Sequence, residues 1–215
     1  VIESSRGIIL RTRLLTETSL IVHWLTPDFG RIATVAKGAR RPKSPFFGKV
    51  DLFYEADFSF SRSRSSDLHN LREVSLRETN KALREDILKL NRAAYACAFI
   101  EQATETETPL PGIFDLLREF LTMLCGQKTL PQLIFAFELK WLRELGLEPD
   151  MAGTNLTDGT KKIAAILSQK DFAAGRRVKL TKAQNDELRQ FLHGFLIFHL
   201  GRLPKGRAAA LADQN

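Results

Sequence analysis

The sequence predicts an α+β protein of two domains, an N-terminal five-stranded β-barrel followed by an all-α helical domain. Three observations carry that reading. The first eighty residues break into short runs rich in β-branched and aromatic residues, separated by turn formers. From Thr79 onward the apolar period changes from two to three and four. Between Ala36 and Val50 lies a run that fits neither period. It holds Lys37, Arg40, Arg41, Lys43 and Lys49, two prolines, two glycines and the pair Phe46-Phe47, with no acidic residue.

The strands come first. Residues 7–15 (GIILRTRLL) and 20–26 (LIVHWLT) have strand composition, and Thr26-Pro27-Asp28-Phe29-Gly30 closes the second with a turn. Residues 31–36 (RIATVA) alternate, and residues 52–61 (LFYEADFSFS) alternate again after the basic run. Residues 62–67 are a polar turn and 71–76 (LREVSL) a fifth strand. Five short strands in about eighty residues fit a small closed barrel of the oligonucleotide-binding (OB) type. A sandwich or a Tudor-like barrel gives much the same pattern, and pattern alone does not separate them.

The helices follow. Ile87, Leu88, Asn91, Ala94, Tyr95, Ala98 and Phe99 share one stripe, and the polar run Thr104 to Pro109 ends that helix. Residues 113–124 form a second helix that stops near Gly126. Thr129 with Gln132 and Thr181 with Gln184 have capping-box spacing, which places helix starts at about 130 and 182. The third helix carries Leu133 to Leu145 and stops at Gly146. Residues 150–159 read as loop, 160–168 as a short helix and 188–200 as a final apolar helix. The stripes Phe135/Phe137/Trp141 and Phe191/Phe195/Phe198 read as core, and the tail after Arg207 as the one segment biased enough for disorder. The domain division falls at residues 1–80 and 81–215.

A chain of 215 residues can bury a proper core, and its longest apolar stretches, such as Phe195 to Phe198, are far too short to span a membrane. Two cysteines without a close-spaced partner, Cys97 and Cys125, argue for a reducing compartment and against a disulfide framework. With no secretory pattern at the start, the expected location is the cytoplasm. Charge is uneven. Residues 1–80 hold 13 Lys and Arg against 9 Asp and Glu, residues 81–150 hold 8 against 11, and residues 151–215 hold 11 against 5. Such a field steers anionic partners to particular faces.

Motifs for catalysis are missing. His193 and His199 lack metalloprotease spacing, and zinc on Cys97 and Cys125 would need two histidines from distant segments. The segment Gly153 to Lys161 looks like a phosphate loop, yet its glycine spacing is one residue too long and Lys161 comes one residue late. There is no G-x-S-x-G elbow and no acidic cluster of the kind that holds catalytic magnesium. The expectation is a protein that is not an enzyme and needs no cofactor or metal.

The basic run instead suits a polyanion with stackable bases, because cations displace condensed counterions while aromatic rings accept base faces. Lys37, Arg40, Arg41, Lys43 and Lys49 are the main candidate contacts, with Arg11, Arg13, Arg62 and Arg64 extending them. Outward alternation on a strand accounts equally well for Arg11 and Arg13, and Arg62 and Arg64 flank a solubilising turn. Phe46 and Phe47 are candidates either for base stacking or for anchoring the loop.

Arg6 to Arg13, Glu17-Thr18-Ser19-Leu20-Ile21 and Ala36-Lys37-Gly38-Ala39-Arg40-Arg41-Pro42-Lys43-Ser44 resemble the N-terminal domain of the bacterial recombination mediator family RecO. Leu83-Arg84-Glu85-Asp86, the run Phe137 to Gly146, and His199-Leu200-Gly201 resemble the same family in order and spacing. The resemblance implies an OB-fold domain before an all-helical domain. It implies a non-enzymatic protein that binds single- and double-stranded DNA and anneals strands coated with single-strand-binding protein. With RecR it would help load RecA, and the helical domain would receive the acidic tail of single-strand-binding protein. Lys37 and Arg40 or Arg41 match the family's basic barrel positions. Many relatives hold a four-cysteine zinc module after the glycine matching Gly146, whereas residues 147–162 here contain no cysteine. The alternative is a generic OB-fold binder of RNA or single-stranded DNA without mediator activity.

Overall fold

The computed structural model describes residues 1–126, 130–169 and 171–212, apart from the side chains of Ala174 and Arg176. The chain divides into two compact units, Val1–Lys81 with Ile100–Arg118, and Ala82–Phe99 with Glu119–Asn215.

The first unit is built on five strands, β1 (Ile2–Leu14), β2 (Leu20–Thr26), β3 (Gly30–Ala36), β4 (Glu55–Ser61) and β5 (Leu68–Glu78). They close into a barrel in the order β1-β2-β3-β5-β4. All neighbours are antiparallel except β3 and β5, which run parallel with Ala33 opposite Leu68 and Val35 opposite Asn70. That parallel pair closes the barrel, selects the OB topology over a sandwich, and leaves no free sheet edge. The alternation read from the sequence is the inward face. Ile9, Val22, Trp24, Ile32, Phe58 and Phe60 are buried together. Trp24 and Phe58 stack with centroids 4.1 Å apart, and the Trp24 indole N–H donates to Thr34 Oγ1 at 2.9 Å, so the buried ring is satisfied. Gly7 is required here, because a Cβ would sit 2.8 Å from Phe58 and 3.0 Å from Trp24.

Residues 100–118 complete this unit. Arg31 donates from Nε to Thr104 Oγ1 at 2.8 Å and from Nη2 to the Thr104 carbonyl at 2.5 Å, while the Glu107 amide donates to the Arg31 carbonyl at 2.9 Å. Gly30, at φ 64°, lies so close to Thr108 that an added Cβ would fall 2.0 Å from its carbonyl oxygen.

The helices are α1 (Ile87–Ala103), α2 (Pro111–Cys125), α3 (Gln132–Glu144), α4 (Asp158–Leu167), α5 (Phe172–Arg177), α6 (Lys182–Leu200) and α7 (Arg207–Ala210). None of the described helices is long and apolar enough to cross a membrane. In the second unit α3 is the central rod, buried at every position from Gln132 to Leu142. Phe99, Phe120, Phe135, Phe137 and Trp141 are fully buried around it, with Phe99 and Trp141 in edge contact at 4.7 Å. Capping sets the ends. Thr181 and Gln184 form the reciprocal capping box of α6, and Gly201 ends it in the left-handed region at φ 71°. The predicted cap at Thr129 lies outside the described residues.

Four expectations need correction. Ile87 is 66% exposed and Ala94 is exposed, because the buried face of α1 runs through Arg92, Ala93, Tyr95, Ala96 and Phe99. A short α5 and a helical turn at Met151–Gly153 occupy ground read as loop or left unassigned. Phe191, Phe195 and Phe198 are not core. Leu188, Leu192 and Leu196 fill that role on α6, and Phe198 is 82% exposed.

The fourth correction concerns the segment after Arg207. Polar groups buried in the second unit tie it down as α7, with Ala210 and Leu211 buried. Arg207 donates to both oxygens of the fully buried Glu138, at 2.7 and 2.8 Å, and Tyr95 donates to the same carboxylate at 2.5 Å. Arg92 donates to the carbonyls of Ala210 and Ala212 at 3.0 and 2.9 Å, which satisfies acceptors at the helix end. Composition suggested a floppy tail, but two buried guanidiniums outweigh it. Replacing Glu138→Leu leaves the Arg207 charge buried without its counter-ion and is expected to cost about 3–5 kcal/mol. Urea unfolding followed by circular dichroism should show this, and the double variant Glu138→Leu/Arg207→Met should recover much of the loss.

Candidate nucleic-acid interface

The basic run leaves the end of β3 as a chain of tight turns. Backbone amides of Arg41, Ser44, Phe47 and Lys49 each donate to the carbonyl three residues earlier, at 2.9–3.1 Å. Gly38 and Gly48 take φ of 65° and 72°, conformations that strain a side chain. The β1–β2 turn braces the loop. Arg40 N donates to the Thr18 carbonyl at 3.0 Å, Gly38 N to Ser19 Oγ at 3.2 Å, and Arg40 Nη1 to the Glu17 carbonyl at 2.9 Å. Phe46 is 5% exposed within the barrel core, which removes the stacking role from it and makes it the anchor. Phe47 is 60% exposed and keeps a free ring face.

This scaffold holds the cations out. The side chains of Lys37, Arg41 and Lys43 are exposed and make no hydrogen bond or ion pair with any described residue. Arg40 touches only carbonyls, so its charge is not neutralised. Lys49 and Pro45 border an open groove of about 640 Å³ whose other walls include Ser4, Ser59, Arg72 and the carboxylates Asp57 and Glu73. Arg72 of β5, which the sequence does not single out, adds a second cation to that groove.

The outlying arginines separate into two groups. Leu14 pairs with Leu20 and Leu20 with Ala36, so Arg13, near the end of β1, shares the loop's end of the barrel. Arg11 lies two residues back but is paired with Glu101 at 3.1 Å. Because β5 runs parallel to β3, the turn carrying Arg62 and Arg64 extends toward Gly30, the opposite end from the loop. Arg62 is held there by Glu3 at 3.1 Å and Glu107 at 2.9 Å, while Arg64 is exposed. Glu3, Glu101 and Glu107 are the partners that the sequence does not reveal. The polar run containing Glu107 signalled a helix end, and nothing in its spacing tells that it packs on the barrel.

Two histidines of this unit are shielded from solvent, His69 near the start of β5 and His23 midway along β2. His69 is 1% exposed. It accepts the Ser63 amide at Nδ1 (3.3 Å), so its proton lies on Nε2, 3.1 Å from Glu107 Oε1. His23 borders a cavity of about 150 Å³ with Arg11 and Arg31. Burial pushes its pKa down to about 4, and Arg11, Arg13 and Arg31 add to the shift.

The second unit offers no phosphate loop at residues 153–161. The start of α4 is capped by Thr157, and the Glu187 carboxylate accepts the Thr157 hydroxyl at 2.9 Å, placing a negative charge where an anion would bind. A four-thiolate zinc module does not fit these residues either. Residues 147–162 contain no cysteine, and Cys97 and Cys125 lie in α1 and α2. Among the described residues no group of three or more His, Cys, Asp or Glu side chains is placed to hold a metal.

Barrel and loop together define the class: an OB-barrel protein with an appended helical unit and uncompensated cations gathered at one end of the barrel. The family model "Recombination protein O N terminal" matches residues 2–80, and "Recombination protein O C terminal" matches residues 84–154. The chain belongs to the RecO family. Among similar curated proteins, the DNA repair protein RecO of Rhodopirellula baltica is 33% identical over 143 residues, 66% of this chain and 53% of the relative. That of Alkaliphilus metalliredigens is 27% identical over 93% of this chain and 94% of the relative. That of Bacillus subtilis is 32% identical over 67% of this chain and 56% of the relative. The match to the first and last of these thus spans little more than half of their length.

The histidine cavity generates one prediction. A folded-state pKa below the unfolded value of 6.5 means that the unfolded chain binds the proton more readily. The contribution of His23 is therefore full above pH 6.5 and is lost as pH falls toward 4, by at most about 1.4 kcal/mol per unit. Denaturation midpoints at pH 7 and pH 5 should differ in the parent chain, and His23→Asn should narrow that difference.

Proposed function

We propose that this chain is a DNA-binding recombination mediator that works in DNA repair by binding rather than catalysis. The observation that carries the reading is the anchored loop, whose Lys37, Arg41 and Lys43 side chains are exposed and unpaired among the described residues. Family membership and the names of its relatives support it. Annealing requires lowering the repulsion between two polyanions without locking either strand. Mobile side chains on a fixed backbone do this by replacing condensed counterions, and they need no base-specific contacts. Arg13 and Arg40 extend the cationic surface at the same end of the barrel. Phe47 offers a face for an unpaired base, and Lys49 with Arg72 lines the adjoining groove. Arg11 and Arg62 contribute less, since carboxylates already hold them. Arg64, at the far end, lies apart from this surface.

The partners in this reading are single- and double-stranded DNA, RecR, the acidic tail of single-strand-binding protein and, indirectly, RecA. The site of action is the cytoplasm, at the nucleoid. The deciding experiment is annealing of complementary oligonucleotides coated with single-strand-binding protein, without ATP, followed by fluorescence quenching. The parent chain should accelerate it and Lys37→Ala/Arg41→Ala/Lys43→Ala should not. In the same triple variant, the dependence of log affinity on log salt for single strands should flatten by about 2, from about 0.7 per lost phosphate contact. An unchanged slope removes the loop from the interface. DNA binding without accelerated annealing leaves a generic OB-fold binder.

A further inference from the structure

The outward face of α6 is the least expected surface of the second unit. Leu188, Leu192 and Leu196 satisfy the core, yet the adjacent row is aromatic as well. Phe198 is 82% exposed and Ile197 39%, while Phe191 and Phe195 are half-buried. The rings form a continuous series. Phe191 and Phe195 are 5.7 Å apart, Phe195 and His199 4.5 Å, and His199 and Phe198 5.0 Å with planes at 88°. Leaving a whole phenylalanine ring in water costs about 1.5–3 kcal/mol of burial energy, so such a projecting ring marks a contact surface.

Its electrostatics point one way. From Leu188 to Ala212 the sequence has no Asp or Glu, whereas Arg189, His193, His199, Arg202 and Lys205 all lie in that stretch. Arg207 is paired with the buried Glu138. Arg202 and Lys205, just beyond the last ring, are both exposed. A partner for this face must bring apolar surface and negative charge together.

We propose that this aromatic face is a binding site for single-stranded nucleic acid, separate from the barrel loop, in which bases stack on Phe198 and the Phe195–His199 pair while Arg202 and Lys205 take phosphates. An acidic peptide shares the charge, but its apolar anchor needs a cavity to enter. Phe198 stands out from the surface and presents ring faces, as base stacking requires. Duplex DNA hides its bases from such a ring, so the site discriminates single strands from duplex.

Substitution Phe198→Trp tests this directly. The two native tryptophans, Trp24 and Trp141, are fully buried, so the introduced indole is the exposed one. Oligo(dT) should quench its emission saturably, a duplex of equal length should not, and Arg202→Ala/Lys205→Ala should flatten the salt dependence of the quench by about 1.4. Phe198→Ala, at a position that contributes nothing to the core, should weaken oligo(dT) binding about five- to a hundred-fold. If labelled oligo(dT) binds the protein while the indole emission stays unchanged, the proposal fails and the barrel loop alone carries the strand. If an acidic peptide with an aromatic end shifts the emission and oligo(dT) does not, the face belongs to a protein partner and the proposal is overturned. Neither outcome touches the loop variants, so the two sites stand or fall separately.

Discussion

Burial of one phenylalanine holds the candidate interface together. The loop after β3 concentrates five cations within thirteen residues, and like charges so close would drive a free loop open. Phe46 pins it by entering the barrel core beside Trp24 and Phe58. Successive turns then fix the backbone, and the β1–β2 turn supplies the cross-braces. Backbone order and side-chain freedom coexist here because they depend on different groups: apolar burial and amide hydrogen bonds fix the former, while lysine and arginine heads stay in water. A cationic surface of this kind has lost its conformational entropy in the main chain before a ligand arrives, so binding need not supply that cost.

The second unit solves a different problem with a costlier device. Its central helix is buried all round and still contains Glu138, which Tyr95 and Arg207 satisfy, and Lys140, a residue 4% exposed whose amine lies over the Phe172 ring at 4.8 Å. Burial pushes the Lys140 pKa down to about 8. The carboxylate is matched by a bidentate guanidinium, whereas the amine lies against a ring face, feels the charges of Glu119 and Asp171, and has no hydrogen-bond acceptor among the described residues. The first arrangement gives specificity to the C-terminal fold. Nothing in the structure explains the second.

Most of the architecture was legible in the residues. Alternation in the strands and the capping box at Thr181 identified elements because each is a local signal, set by neighbours two to four residues apart. Strand composition and spacing do not reveal the parallel β3–β5 pair, since closure is a property of five strands at once. What remained illegible was non-local. No spacing rule says that Arg11 meets Glu101, that Arg62 meets Glu107, or that Arg207 reaches Glu138 across sixty-nine positions. Charge counts along the chain therefore overstated the cations available to a polyanion at Arg11 and Arg62. On the loop itself residues 37–49 contain no acid, and the side chains of Lys37, Arg41 and Lys43 have no partner among the described residues. The aromatic row of α6 failed for a related reason: helical periodicity finds an apolar stripe but cannot tell which of two adjacent stripes meets the core.

The contact of residues 104–108 with β3 bears on how the protein is born. The last strand ends at Glu78, but the Arg31 side chain gains its hydrogen bonds to Thr104, and Gly30 its close packing on Thr108, from a segment some thirty residues later. At synthesis rates of about 5–20 residues per second, a nascent barrel waits roughly 2–6 s for that segment after its own strands are complete. Throughout that interval Arg31 lacks Thr104 and the buried His69 lacks Glu107. The emerging chain thus has an acid-dependent, half-finished pole and a finished basic one, and the order in which the ribosome releases them is written into the fold.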